Sequence, residues 1–353
     1  MFDRTSPLNW SEQRVVVTGG ASFIGSHLVD ALVARGAAVR VIDNLSSGSL
    51  ENIRCWVDDG TVEFVRSDLA IARVAGSAVD GATVVFHLAA DHGGRGYVDL
   101  HQAACATNLT LDGNVFLACR DAAVSKLVYA SSGCVYPSFL QLDPDSILYL
   151  REKDVGPPYD ADNMYGYAKL MGELTLRAYC AEWGMKAASC RYFTVYGERG
   201  KENHAVTAMI ARAFIRQSPF VVWGDGRQVR NWTYVGDIVE GTIRAAERID
   251  DGTAVNLGTM ERTRVVDAVQ EVMHYTGHEA EIEFRPDEPT GPMNRVADNE
   301  LAKELLDWEP QTSFEDGLHR VIDWYFANHD VEQVRATIER GGLIERTVEL
   351  LTV

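Results

Sequence analysis

Near the start of the chain a run of three valines ends on a glycine turn, and few folds accommodate that pairing. Arg14-Val-Val-Val-Thr18 is the short apolar stretch of a strand covered on both faces. It leads into Gly19-Gly-Ala-Ser-Phe-Ile-Gly25 and a helix-spaced pattern with Ile24, Leu28, Ala31 and Leu32 inward. Gly36 stops that helix, and a second strand, Val39-Arg-Val-Ile-Asp43, ends on an acid. Strand, glycine turn, helix, strand and acid form a dinucleotide-binding unit, with a pyrophosphate expected at the helix N-terminus. A glycine turn alone also suits plain packing of strand on helix. Asp43, 24 residues past Gly19, points instead to a cofactor. Its carboxylate suits ribose hydroxyls and repels a 2′-phosphate, and Asn44 rather than an arginine comes next, so NAD is expected over NADP. Ser22 stands where such turns usually carry their middle glycine.

The alternation continues. Further strands are expected over 61–65, 83–90, 126–131 and 187–193, with a helix around 108–123 between two of them. Asp68 and Leu69, just past the third strand, are placed for an adenine-side contact. The fold class expected is therefore α/β, a doubly wound parallel (Rossmann) sheet. Beyond residue 197 the rhythm loosens. Residues 1–197 are read as an NAD-binding domain with interleaved segments of a substrate lobe, and 198–353 as mainly that smaller lobe with C-terminal helices. Trp223 and Trp308 are expected in the core, and 328–353 as an extra helix pair without a functional reading.

A net charge of −18 argues against nucleic acid or an anionic membrane as partner. An anionic small molecule would need local arginines, which makes each well-placed one informative. The six cysteines show no paired or metal-type spacing, so no metal is expected, and they read as reduced residues of a cytoplasmic enzyme. No apolar leader or membrane-length stretch is seen.

Two stretches carry chemistry. Tyr129-Ala-Ser-Ser-Gly-Cys-Val-Tyr136 leaves a buried strand and presents polar groups at once. Tyr165 and Lys169 lie four apart, so on a helix a phenol and an ammonium share one face. The cation favours the phenolate, and a phenolate beside the Ser132 hydroxyl is a general base for an alcohol. A surface ion pair is the plainer reading of that spacing, and a buried inert thiol the plainer reading of Cys134.

These motifs resemble the extended short-chain dehydrogenase/reductase family, in particular its sugar-nucleotide epimerases and dehydratases. The resemblance covers about 13–325. It rests on Thr18-Gly-Gly-Ala-Ser-Phe-Ile-Gly25, Asp43-Asn-Leu, His87-Leu-Ala-Ala90, Tyr165-Gly-Tyr-Ala-Lys169, Arg191-Tyr-Phe-Thr-Val-Tyr-Gly197, Trp223-Gly-Asp-Gly226, Arg230-Asn-Trp-Thr-Tyr-Val235, Asn256-Leu-Gly258 and Arg295-Val-Ala-Asp298. Ala89-Ala-Asp-His-Gly-Gly-Arg-Gly96 and Ser131-Ser-Gly-Cys-Val-Tyr-Pro137 look like their counterparts in the GDP-mannose 3,5-epimerases. The 4,6-dehydratases carry an Asp-Glu pair where Gly133-Cys134 stand here.

The resemblance implies a transient oxidation at the sugar's C4, proton exchange at C3 or C5, and return of the hydride. Tyr165, Lys169 and Ser132 would run the oxidation. Cys134 would remove a carbon-bound proton and Lys201 return one, with His204 as a substitute. The cofactor would lie along Gly19, Ser22, Phe23, Ile24, Gly25, Asp43, Asn44, Asp68, Leu69, Leu88, Ala89, Ala90 and Asn108, reaching Tyr165 and Lys169. Gly94, Arg95, Thr194, His204, Arg230 and Arg295 would hold a GDP- or UDP-hexose, the last two at its diphosphate. Thr194 stands where the family commonly has Asn. A homodimer through two sheet-flanking helices is usual for the family. A 4-epimerase, with Cys134 only lining the pocket, is the competing reading.

Overall fold

The computed structural model describes residues 8–339. Its centre is a seven-stranded sheet built from β1 (Arg14–Thr18), β2 (Ala38–Asp43), β3 (Val62–Arg66), β4 (Val84–His87), β5 (Lys126–Ser132), β6 (Ala187–Tyr192) and β7 (Asp251–Leu257). The order across the sheet is β7-β6-β5-β4-β1-β2-β3, and every neighbouring pair is parallel. The strand order reverses between β1 and β4, and such a switch point opens a crevice at the strands' carboxyl ends.

The valines of β1 show why the sheet is sandwiched. Val15 and Val17 join one core cluster and Val16 another. On the first face lie α1 (Phe23–Ala34) and, later in the chain, the helix Val235–Arg248; on the second lie α2 (Asn108–Asp121) and α3 (Asn163–Trp183). In α1 the inner stripe also takes Val29, while Ile24 and Ala31 are only half-buried. The strand expected over 83–90 stops at His87, and 88–90 form the loop that leaves the sheet.

After residue 197 the chain builds α4 (Ala205–Phe214), then returns to the sheet through α5 (Val235–Arg248) and β7. The smaller lobe has its own core, where α4, α6 (Val265–Thr276) and α7 (Phe314–Asn328) pack around Phe220, Trp232 and Tyr325. Of the C-terminal helix pair, α8 (Val331–Glu339) packs on this core through Val334; the rest lies outside the described residues. Trp308 is core, its indole N–H donating to the Asp237 carbonyl at 3.0 Å. Trp223 departs from expectation: it is half-buried and faces the cavity between the lobes.

Candidate active site

The glycine turn closes over the end of β1 because two positions admit no side chain. A Cβ on Gly25 would fall 2.1 Å from the Gly19 carbonyl oxygen, and Gly19 itself has φ +71°. Ser22 fits in place of a glycine by donating its hydroxyl to the Gly19 carbonyl at 2.5 Å. Asp43 is buried at the end of β2 and accepts from the Ala21 N–H at 3.1 Å and the Leu45 N–H at 2.8 Å.

Between the lobes lies a cavity of about 610 Å³. It gathers Ser22, Phe23, Ile24, Leu88 and Ala90 with Ser132, Cys134, Tyr165 and Lys169. Gly94, Arg95, Thr194, Lys201, His204, Arg230 and Arg295 line it too. Residues far apart along the chain thus meet in one space. Asp68 and Leu69 do not: Asp68 accepts from the Ala70 N–H at 2.9 Å, and Leu69 is in the core. Asn108 serves the loop after β4, since its amide donates to the Asp91 carbonyl at 2.9 Å and accepts from the Asp91 N–H at 2.6 Å.

The Tyr165 phenol is buried against Ser132 and Cys134. Burial pushes its pKa well above the ordinary value, with Cys134 and Asp112 adding to this and a hydrogen bond from Ser132 opposing it. The Lys169 ammonium sits 5.9 Å from the Tyr165 ring centroid and 4.6 Å from that of Tyr129. Its Nζ is buried without a hydrogen-bond partner. An orphaned cation beside a glycine cradle fits a dinucleotide whose ribose hydroxyls reach the lysine.

Behind that lysine lies a polar chain centred on Asp112, which no sequence motif announces. Tyr129 donates its hydroxyl to Asp112 at 2.5 Å, and His87 Nε2 lies 3.0 Å from the other carboxylate oxygen. Asp112 accepts only, so Nε2 carries the proton and His87 Nδ1 accepts from the Thr18 hydroxyl at 2.7 Å. Burial pulls His87 down and keeps this imidazole neutral. Burial opposes the Asp112 charge, yet Lys169 and His87 hold its pKa below the usual value.

Arginines set the field on the substrate side. Arg295 donates from Nε to Gln141 at 2.7 Å, from Nη1 to the Cys134 sulfur at 3.2 Å and from Nη2 to Asp162 at 2.8 Å. Arg95 also binds Asp162, at 2.7 Å, and pairs with Asp99. Arg230 donates only to the carbonyls of Val229 and Thr290, each at 2.8 Å, and no carboxylate among the described residues pairs with it. Burial, with Arg295 and Arg95 alongside, pulls its pKa down to about 9. Asp162, Asp99 and Gln141 are absent from the sequence-based site; only the Asp162 position, just before α3, offers a cue.

The loops carrying the remaining candidates touch. A Cβ on Gly94 would lie 1.7 Å from the Asn203 carbonyl oxygen. The His92 ring is tilted against that of Tyr165 at 4.8 Å and meets His204 edge-on at 5.9 Å. His204 is half-buried, and burial with the Lys201 charge pushes its pKa down to about 4. Lys201 is exposed at the cavity's edge. Of the two, His204 is linked through His92 to Tyr165.

Comparison with known proteins agrees with this arrangement. Residues 15–258 match the model of the NAD dependent epimerase/dehydratase family. GDP-mannose 3,5-epimerase 1 of Oryza sativa subsp. japonica is 31% identical over 318 residues, covering 88% of this chain and 81% of its own. The crystal structure of a Thermotoga maritima UDP-glucose 4-epimerase with UDP-glucose superposes with TM-score 0.79 at 28% identity, covering 88% and 98% of the two chains. That of Thermus thermophilus UDP-glucose 4-epimerase in complex with NAD gives 0.78 at 30%, covering 90% and 100%. A glycine cradle, an orphaned lysine and a family match over two thirds of its length come together here: the chain belongs to the NAD dependent epimerase/dehydratase family, and its cofactor is NAD.

Proposed function

We propose that the protein is a nucleotide-sugar epimerase of the 3,5-type, similar to the GDP-mannose 3,5-epimerases. The observation that carries this is the Cys134 thiol, close enough to the Tyr165 phenol to act on its titration and hydrogen-bonded to a guanidinium. A 4-epimerase needs no second acid/base group there. Tyr165 takes the proton of the C4 hydroxyl, and Ser132 holds the same oxygen. NAD, when bound, accepts a hydride and gives it back. The Lys169 ammonium offsets the burial that otherwise keeps the phenol protonated. With C4 a ketone, the hydrogens on C3 and C5 become acidic; Cys134 removes one, and His204 or Lys201 returns a proton.

Arg230, a half-buried cation with no carboxylate partner among the described residues, supports a diphosphate partner in this part of the cavity. A GDP- or UDP-hexose fits that requirement. Rice GDP-mannose 3,5-epimerase and the UDP-glucose complex of the Thermotoga enzyme support one base each. The second reading, a 4-epimerase, draws on the named activity of the two solved relatives. A panel of GDP- and UDP-hexoses incubated with the enzyme in heavy water separates them. Deuterium at C3 or C5 supports the first; inversion at C4 without exchange moves the protein to the second.

The same reading includes a homodimer and a cytoplasmic setting. Leu109 on α2 and Met171 on α3 are 44% and 48% exposed and border one shallow groove. Met171→Glu should therefore shift the sedimentation of the protein from dimer to monomer, and an unchanged wild-type monomer rejects the dimer. The six cysteines form no disulfide with one another, which suits a reducing compartment, and no described helix is long and apolar enough to cross a membrane.

A further inference from the structure

Asp162 sits at the junction of two guanidinium groups, and one of them ends on sulfur. Its Oδ2 accepts from Arg95 at 2.7 Å and from Arg295 at 2.8 Å, while Arg295 Nη1 lies 3.2 Å from Cys134 Sγ. Asp162 and Arg295 are 6% and 8% exposed. Each nitrogen of Arg295 already has a protein partner, whereas Arg230 has only backbone carbonyls. Diphosphate binding, expected of both arginines, therefore falls more naturally to Arg230.

We propose that Arg295 is a positioning residue for Cys134: its guanidinium holds the sulfur as a thiolate. Asp162, shared with Arg95, sets how much of that positive charge the sulfur receives. The inference rests on the reading of Cys134 as the group that moves a carbon-bound proton.

The charges around the thiol agree with that assignment. From α3, Tyr165 opposes a thiolate whenever it is itself ionised, and buried Cys105 lies in the same small cluster. From the strand pair that holds Arg295, Arg230 adds a second positive charge felt at Cys134. Asp162 is the nearest opposing carboxylate in this hydrogen-bonded chain. Burial works against its charge, and Arg295 and Arg95 hold its pKa below the ordinary value. Ser132 contributes geometry: its hydroxyl oxygen accepts the Cys134 N–H at 3.1 Å and fixes the turn that presents the sulfur. Around the rest of the cavity, the titratable and charged side chains include His92, Lys169, Lys201, Glu202, His204 and Arg212, and His204 is neutral at pH 7.

The test needs no sugar. Full-length protein is alkylated with iodoacetamide from about pH 6 to 10, and each cysteine is followed by peptide mass spectrometry, with exposed Cys55 as the internal reference. Arg295→Met should raise the half-point of Cys134 alkylation by about one pH unit or more, a roughly tenfold slower reaction at neutral pH. Arg95→Met should move it the same way, because Asp162 then falls wholly on Arg295. Asp162→Asn should move it down. Cys55 should not move in any variant. A Cys134 half-point that stays put in Arg295→Met, or one that rises in Asp162→Asn, overturns the proposal. Should Arg295→Met fail to fold, as judged by loss of NAD-dependent melting, the opposite signs of Arg95→Met and Asp162→Asn carry the same test. The outcome is separable from the epimerase reading. The shifts without deuterium exchange on any sugar leave Arg295 assigned and reject the function; exchange without the shifts does the reverse.

Discussion

The Lys169 ammonium lies 4.6 Å over the ring of Tyr129, and that tyrosine's hydroxyl is donated to Asp112. The carboxylate draws on the phenol and enriches the ring face under the cation, so the buried lysine is balanced through an aromatic ring. Burial pulls Lys169 down, and Asp112 acts the other way.

Asp112→Asn should therefore leave a buried cation without its counter-charge. Destabilisation of about 3–5 kcal/mol is expected from urea unfolding at pH 7. The folded pKa of Asp112 is depressed, so its contribution is present above the carboxylate's unfolded pKa and disappears as pH falls through the folded one. The variant should lose stability at neutral pH and show a flatter acid limb. An unchanged midpoint at pH 7 rejects this role.

Asp43 ties cofactor choice to the local fold. Asp43→Ala removes the acceptor of two backbone N–H groups, those of Ala21 and Leu45. It should cost about 1–3 kcal/mol of stability and also weaken NAD binding. Asp43→Asn keeps one acceptor and removes the charge, so it should narrow the preference for NAD over NADP with less loss of stability. Equal binding of the two cofactors by wild type, measured by calorimetry, contradicts the reading of the carboxylate.

Arg230 and Arg295 separate in their signs. Arg230→Met should weaken binding of UDP or GDP by about 1.5–3 kcal/mol, the scale of a charge-assisted hydrogen bond. It also removes a half-buried cation that has no carboxylate partner, so stability should hold or rise by about 1 kcal/mol. Arg295→Met instead strips partners from Gln141, Cys134 and Asp162, and stability should fall. Titration calorimetry and thermal melting of both variants check the contrast. Equal losses of stability in the two would remove it.

His204 gives a pH signature opposite to that of an ion-paired histidine. Its pKa is pushed down to about 4 from 6.5, first by burial and then by Lys201. The unfolded chain therefore binds more protons between those values. The contribution is complete above about pH 6.5 and is lost as pH falls towards 4, amounting to about 1–3 kcal/mol. His204→Asn should flatten urea midpoints between pH 7 and 5, where wild type should decline. At neutral pH the imidazole is a base, suited to taking a proton before returning it.

What is legible in the chain comes from adjacency. The valine run of β1, the glycine turn and Asp43 lie within 30 residues, and the Rossmann order is their repetition. Ser132 and Cys134 are legible at a strand's exit, and Tyr165 and Lys169 on one helical turn. β7 is not: Asp251-Gly-Thr opens it without a β-branched run, Gly252 has φ +78°, and the pairing with β6 shifts register there. Asp112 and Gln141 are silent because each owes its role to residues elsewhere along the chain. Gln141 and Arg295 are 154 positions apart, and no local pattern announces that contact. Asn108 likewise has a structural partner that the chain does not announce, since its amide holds the loop at Asp91.

Order of events decides between the two epimerase readings. C3–H and C5–H are acidic only once C4 is a ketone, so the two kinds of proton transfer can be uncoupled from one side only. Tyr165→Phe should abolish both, because no ketone forms. Cys134→Ala should still generate a 4-keto sugar, trapped by borodeuteride, yet lose at least about 100-fold of the deuterium incorporation at C3 or C5 in heavy water. Asp162→Asn, with Arg295 no longer shared, should keep incorporation and move its pH dependence downward. NMR of the recovered nucleotide sugar reads all three. Full incorporation in Cys134→Ala would make the thiol part of the wall, and His204 or Lys201 would have to do the work of both faces. Absence of incorporation in wild type, with C4 inverted, would leave Tyr165, Lys169 and Ser132 as the whole machinery and the protein a 4-epimerase.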